Sequence, residues 1–182
     1  LPEGSLFEEK ADDGSMAWVL DSNIWVESKG QRKQVTTDGN YGLVYGKSVH
    51  REEFGIEKGL FWSPRAAHLA FYRMDQSMVT DYPIIDFNEK PGKDNPVKYP
   101  LSGGKSHEVT VGIYDVLTNR TIYLQTGEPK EQYLTNIAWS PDEQYVYIAV
   151  LNRAQDHMKL NQYHAGTGAF VKTLFEEHDT KY

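Results

Sequence analysis

The sequence predicts an all-β fold: a partial β-propeller of about three to four blades, each of four antiparallel strands. Three observations carry that expectation. Aromatic residues are dense, with 12 Tyr, 7 Phe and 4 Trp in 182 residues, and they fall in short runs that suit strands better than helices. A motif recurs 77 residues apart: Leu60-Phe61-Trp62-Ser63-Pro64 before Leu69-Ala70-Phe71-Tyr72, then Ile137-Ala138-Trp139-Ser140-Pro141-Asp142 before Tyr145-Val146-Tyr147-Ile148-Ala149-Val150. Asp12-Asp13-Gly14-Ser15 before Met16-Ala17-Trp18-Val19-Leu20 is a fainter copy.

Each copy reads as a strand entering a tight turn and a strand leaving it. Pro presets φ for the second turn position, and Asp or Gly nearby relaxes the chain through the turn. A second strand pair trails each copy. Asn23-Ile24-Trp25-Val26 leads to Lys33-Gln34-Val35-Thr36, Val111-Gly112-Ile113-Tyr114-Asp115 to Thr121-Ile122-Tyr123-Leu124, and Leu160-Asn161-Gln162-Tyr163 to Ala169-Phe170-Val171-Lys172-Thr173-Leu174. Connections 116–120 and 164–168 carry Thr-Asn and Gly-Thr-Gly, both hairpin chemistry. The expected repeats span about 12–37, 59–126 with an inserted arm at 74–108, and 134–175. Closed propellers use about four to eight blades, so the chain reads as a fragment of a larger propeller domain.

Two segments break the repeat. Residues 74–108 hold Pro83, Pro91, Pro96, Pro100, Gly92, Gly103 and Gly104, an extended arm too long for a plain hairpin loop. Residues 41–58 are the other, and between Glu52 and Gly59 the sequence lacks clean alternation and reads as a short helix or irregular loop. They carry the adjacent carboxylates Glu52 and Glu53. Neighbouring like charges repel by roughly 1 kcal/mol at about 4 Å in water, so a sheltered acidic pair usually has a cationic partner, here read as a ligand. From the dipeptide by itself, a solvated turn with two surface glutamates is the plainer reading.

Composition narrows the partners. A formal charge of −7 and the absence of a Lys/Arg stripe argue against nucleic acid. With a mean hydropathy of −0.62, no apolar run nears the roughly 18 residues of a membrane span. There is no cysteine, hence no disulfide framework or thiol chemistry, and no signal peptide is visible from Leu1 onward. No Gly-x-Ser-x-Gly nucleophile elbow exists, so no catalytic residue is expected within these residues. Gly104-Lys105-Ser106 resembles the tail of a phosphate loop, but Tyr99 stands where the first glycine belongs. The six histidines lack metal-ligand spacing, and Asp75, Asp81 and Asp86 are too irregular for a calcium site; neither metal nor cofactor is expected. Trp62 and Trp139, sharing one place in the repeat, read as wedges between blades. Arg153 and Gln155 read as strand-end hydrogen-bonding groups, with a reach toward a central channel as the alternative.

Three runs together carry a family resemblance: HREEFGIEKGLFWSPRAAHLAFYRMDQSMVTDYP, KYPLSGGKSHEVTVGIYD and YLTNIAWSPDEQYVYIAVLNRAQD. They resemble the N-terminal β-propeller region of the dipeptidyl peptidase IV family, within the prolyl oligopeptidase superfamily, and bacterial members of the Bacteroidetes type above all. The likeness covers nearly the whole chain and is loosest before about Gly39. It implies that Glu52 and Glu53 bind the free α-ammonium of a peptide N-terminus. It implies a separate C-terminal α/β-hydrolase domain carrying Ser, Asp and His, and removal of dipeptides with penultimate Pro or Ala. A homodimeric, periplasmic or otherwise extracytoplasmic parent is also implied. The rival expectation is a non-catalytic β-propeller interaction module that keeps the scaffold without a peptidase partner.

Overall fold

The computed structural model describes residues 1–179 as consecutive antiparallel blades, four-stranded except the second, whose inner strand is split in two so that its sheet counts five. The first is a meander of β1 (Leu6–Lys10), β2 (Met16–Leu20), β3 (Asn23–Ser28) and β4 (Gln31–Gln34). In the second, β5 (Leu43–Tyr45) and β6 (Leu60–Trp62) both pair with β7 (His68–Asp75), and the sheet continues through β12 (Glu108–Asp115) and β13 (Arg120–Tyr123). The third is β14 (Gln132–Trp139), β15 (Tyr145–Asn152), β16 (His157–His164) and β17 (Phe170–His178). Between β7 and β12 the arm is a hairpin of short rungs, with β8 (Asp81–Tyr82) on β11 (Val97–Lys98) and β9 (Ile85–Asp86) on β10 (Lys93–Asp94).

β7 shows why the blades stack. Side chains of a strand alternate between faces, and β7 is apolar on both. Leu69 and Phe71 join Ala17, Val19, Ile24 and Val26 of the first blade in one core. Ala70, Tyr72 and Met74 join Leu134, Val146, Ile148 and Tyr163 of the third in another. Each large side chain so buried contributes roughly 1.5–3 kcal/mol. Gly112 lies opposite Phe71 in the β7–β12 ladder, and a Cβ there would sit 2.3 Å from the Phe71 ring. The missing side chain is what lets that ring lie across the strand.

The repeated motif is an inter-blade clamp. Trp62 Nε1 donates to the carbonyl of Glu9 on the first blade, and Trp139 Nε1 donates to the carbonyl of Phe61 on the second, both at 3.1 Å. Ser63 and Ser140 hydroxyls accept the backbone N–H of His68 and Tyr145, both at 2.9 Å, closing equivalent turns. Gly14, Ala66 and Glu143 occupy one left-handed position in the three turns, with φ of 89, 57 and 62°. Glu143 uses its place to accept from Arg65 of the second blade, through the backbone N–H at 2.7 Å and Nε at 3.1 Å.

The first blade begins at Leu6, ahead of the expected start near residue 12. β1 shows no apolar alternation because its residues are largely exposed and its register with β2 shifts between Leu6 and Glu9. The third blade runs from Gln132 to His178, slightly beyond the expected 134–175.

Candidate functional site

The inner strand of the second blade is interrupted opposite one residue. Tyr45 pairs with Arg73 and Leu60 with Phe71, so the segment between them loops out across from Tyr72. Gly46 N–H donates to the Tyr72 carbonyl at 2.9 Å, and Tyr72 N–H donates to the Gly59 carbonyl at 3.0 Å, closing the neck. The neck needs glycine. A Cβ on Gly59 would stand 2.3 Å from the Lys47 carbonyl oxygen, and Gly46 has φ 64°.

The tip carries the acidic pair in an unusual backbone. His50, Arg51 and Glu52 are all left-handed, with φ of 53, 56 and 63°; Glu53 is extended at φ −68°, ψ 162°; Phe54 returns to φ 60°. The expected short helix or irregular loop takes the form of a left-handed turn over His50–Gly55. Left-handed backbone costs a non-glycine residue roughly 1–2 kcal/mol, so successive ones persist only where surrounding contacts over-determine them.

Those contacts flank the two glutamates. On one side His50 is buried: Leu134 N–H on β14 donates to its Nε2 at 3.2 Å, and its Nδ1 lies 3.1 Å from His107 Nε2. On the other side Phe54 meets the Tyr133 ring, centroids 5.0 Å apart, and His50 meets the same ring edge-on at 5.1 Å. The Tyr133 hydroxyl accepts from Arg153, whose guanidinium lies near the ring, and from Gln155 Nε2 at 3.4 Å. Arg51 stacks on Tyr99 at the root of the arm, 4.3 Å from the ring centroid. Burial, with the nearby His107 and Arg153, pushes the His50 pKa down to about 3, and burial with Arg153 and Arg51 lowers that of His107. Both rings are neutral near pH 7.

Glu52 and Glu53 themselves are exposed, as the plainer reading of the dipeptide has it. Glu52 accepts from the Ser48 hydroxyl at 3.1 Å. Among the described residues no lysine or arginine pairs with either carboxylate. The turn therefore presents two adjacent anions whose counter-charge the local protein does not supply. Three groups that seat the turn, His50, His107 and Tyr133, went unmarked in the sequence. In the sequence the histidines are noted only for lacking metal-ligand spacing, and nothing local ties either to Tyr133, which lies on another blade.

A family model described as "Dipeptidyl peptidase IV (DPP IV) N-terminal region" matches residues 10–182. The chain belongs to that family. The DPP IV N-terminal region also matches solved structures closely in shape. A crystal structure titled "putative dipeptidyl aminopeptidase IV" from Bacteroides ovatus ATCC 8483 superposes with a TM-score of 0.92 at 46% identity, covering 100% of this chain and 25% of that one. Porphyromonas gingivalis dipeptidyl peptidase 4 superposes at 0.89 with 28% identity, covering 98% and 26%. Among curated relatives, "Probable dipeptidyl-aminopeptidase B" of Pyrenophora tritici-repentis is 29% identical over 181 residues, 87% of this chain and 21% of that protein. The chain thus spans only a fifth to a quarter of the length of the proteins it matches.

Proposed function

We propose that this region is the substrate-recognition part of the propeller of a serine dipeptidyl peptidase that removes N-terminal dipeptides with penultimate Pro or Ala. Glu52 and Glu53 grip the peptide's free α-ammonium. The observation that carries the reading is the strained left-handed turn, which holds two adjacent carboxylates that no lysine or arginine among the described residues pairs with. A peptide α-amino group has a reference pKa of about 7.7–8.0, so it is largely protonated at neutral pH and supplies the missing charge. Charge-assisted hydrogen bonds of roughly 1.5–3 kcal/mol each would reject blocked or internal termini, because a neutral amide returns none of that energy. Holding one end of the substrate fixes which bond meets a nucleophile carried on the partner α/β-hydrolase domain of the same chain. No cofactor enters this scheme. The proposal extends to a homodimeric, extracytoplasmic parent, supported by family membership.

The test is Glu53→Gln in the full-length protein, assayed on a chromogenic dipeptide substrate with penultimate Pro. Losing one charge-assisted bond should lower kcat/KM by about ten- to a hundredfold, mainly through KM. Unchanged kcat/KM would overturn the anchor role. A full-length protein with no peptidase activity would favour the interaction-module reading.

A further inference from the structure

We propose that the His50–His107 pair is the positioning device of this site: it locks the left-handed turn in register against the third blade and so sets where the Glu52 and Glu53 carboxylates stand. The inference rests on the reading of those two glutamates as an ammonium anchor, and it assigns roles to residues that contact no substrate.

The hydrogen-bond chemistry has one consistent arrangement. Leu134 N–H can only donate, so the His50 Nε2 it meets must be the unprotonated nitrogen. The proton then sits on Nδ1, which donates to His107 Nε2 at 3.1 Å, and His107 carries its own proton on Nδ1. A backbone amide on one blade thus fixes the tautomers of two rings on another. Leu134 lies on the edge strand of its sheet, and its carbonyl is taken too, by the Tyr72 hydroxyl at 2.8 Å. His50 and Tyr72, both from the second blade, saturate that peptide between them.

The left-handed run begins at His50 itself, φ 53°. The ring that is tied down and the backbone that is strained are therefore the same residue, two and three positions before the carboxylates. His107 lies between the arm and β12, so the pair joins the turn to the root of the arm as well as to β14. Without these bonds the turn keeps the burial of Val49 and Ile56 at its two ends, its own backbone bonds from Glu52 N–H to the Val49 carbonyl and Ile56 N–H to the Glu53 carbonyl, the Ser48 bond to Glu52, the Phe54 and Tyr133 ring contacts and Arg51 on Tyr99. Such a seat fixes where the turn rests better than it fixes its rotation, and rotation swings adjacent carboxylates off a bound ammonium.

The experiment uses the full-length peptidase with a free-amine dipeptide chromogenic substrate. His50→Phe keeps a ring against Tyr133 and removes both hydrogen bonds. It should raise KM by about fivefold or more with kcat changed much less, as expected for lost ground-state positioning. In a Glu53→Gln background the same substitution should change KM by less than about twofold, because residues acting through one another are not additive. His107→Leu should reproduce the His50→Phe effect, and His107→Gln, which keeps an acceptor, should restore near-normal KM; this pair carries the test if His50→Phe does not fold. An impaired Glu53→Gln enzyme beside a normal His50→Phe enzyme overturns the positioning role and leaves the anchor standing. Equal effects of His50→Phe in both backgrounds overturn it as well, marking a general structural role. A silent Glu53→Gln removes the anchor reading and this inference with it.

Discussion

Acidification should loosen the contact between the left-handed turn and β14, because His50 can hold Leu134 only while its ring is neutral. In the unfolded chain His50 titrates at its ordinary value of 6.5, and in the fold burial, with His107 and Arg153 nearby, pushes it down to about 3. Between those values the unfolded state binds a proton that the folded state refuses. The stabilisation is complete above 6.5 and is lost as pH falls, by about 1.4 kcal/mol per unit, until the folded form itself protonates near 3. At pH 5 the loss works out at about 2 kcal/mol for this one group. His107, also depressed by burial, adds to it in the same direction. The assay is amide hydrogen exchange across β14 at about pH 7.5 and about pH 5, corrected for the intrinsic pH dependence of exchange, with β7 as the internal reference. Opening of the Leu134 amide should become roughly thirtyfold more frequent at the lower pH. His50→Gln cannot titrate, so its pH slope should flatten even if its baseline stability is lower. An equally steep slope in that variant would refute the assignment of acid sensitivity to His50.

Two further substitutions test the packing. Gly112→Ala places a methyl group 2.3 Å from the Phe71 ring, which must rotate or shift the strand; a loss of roughly 1–3 kcal/mol in urea unfolding is expected, and an unchanged midpoint would show the ring has room. Trp62→Phe and Trp139→Phe each remove an N–H donor from an inter-blade bond, to Glu9 and Phe61 respectively, and each should cost about 1 kcal/mol; markedly unequal costs in thermal unfolding would show that the two clamps are not equivalent.

What was legible in the sequence was what local chemistry repeats. The Trp-Ser-Pro turns announce themselves because Ser closes the turn and Trp reaches a neighbouring carbonyl in both full copies, so selection of the same residues leaves the same letters. β7 and β12 were legible because apolar side chains on both faces admit only a strand buried between blades. β1 was not, since an exposed, bulged strand has no pattern to read. The glutamate pair was visible as two letters in a break of the repeat, but its backbone was not.

By itself, the sequence determined the strand content, the recurring turn and the place where the repeat breaks, because each follows from spacing along the chain; that the break begins with β5 (Leu43–Tyr45), half of the second blade's inner strand, came only from the structure. Only the tertiary structure decided how that interruption is held. His50 meets Leu134 across 84 positions and His107 across 57. A left-handed turn of ordinary residues is unfavourable locally, and contacts made by distant strands after the blades have packed are what make it stand.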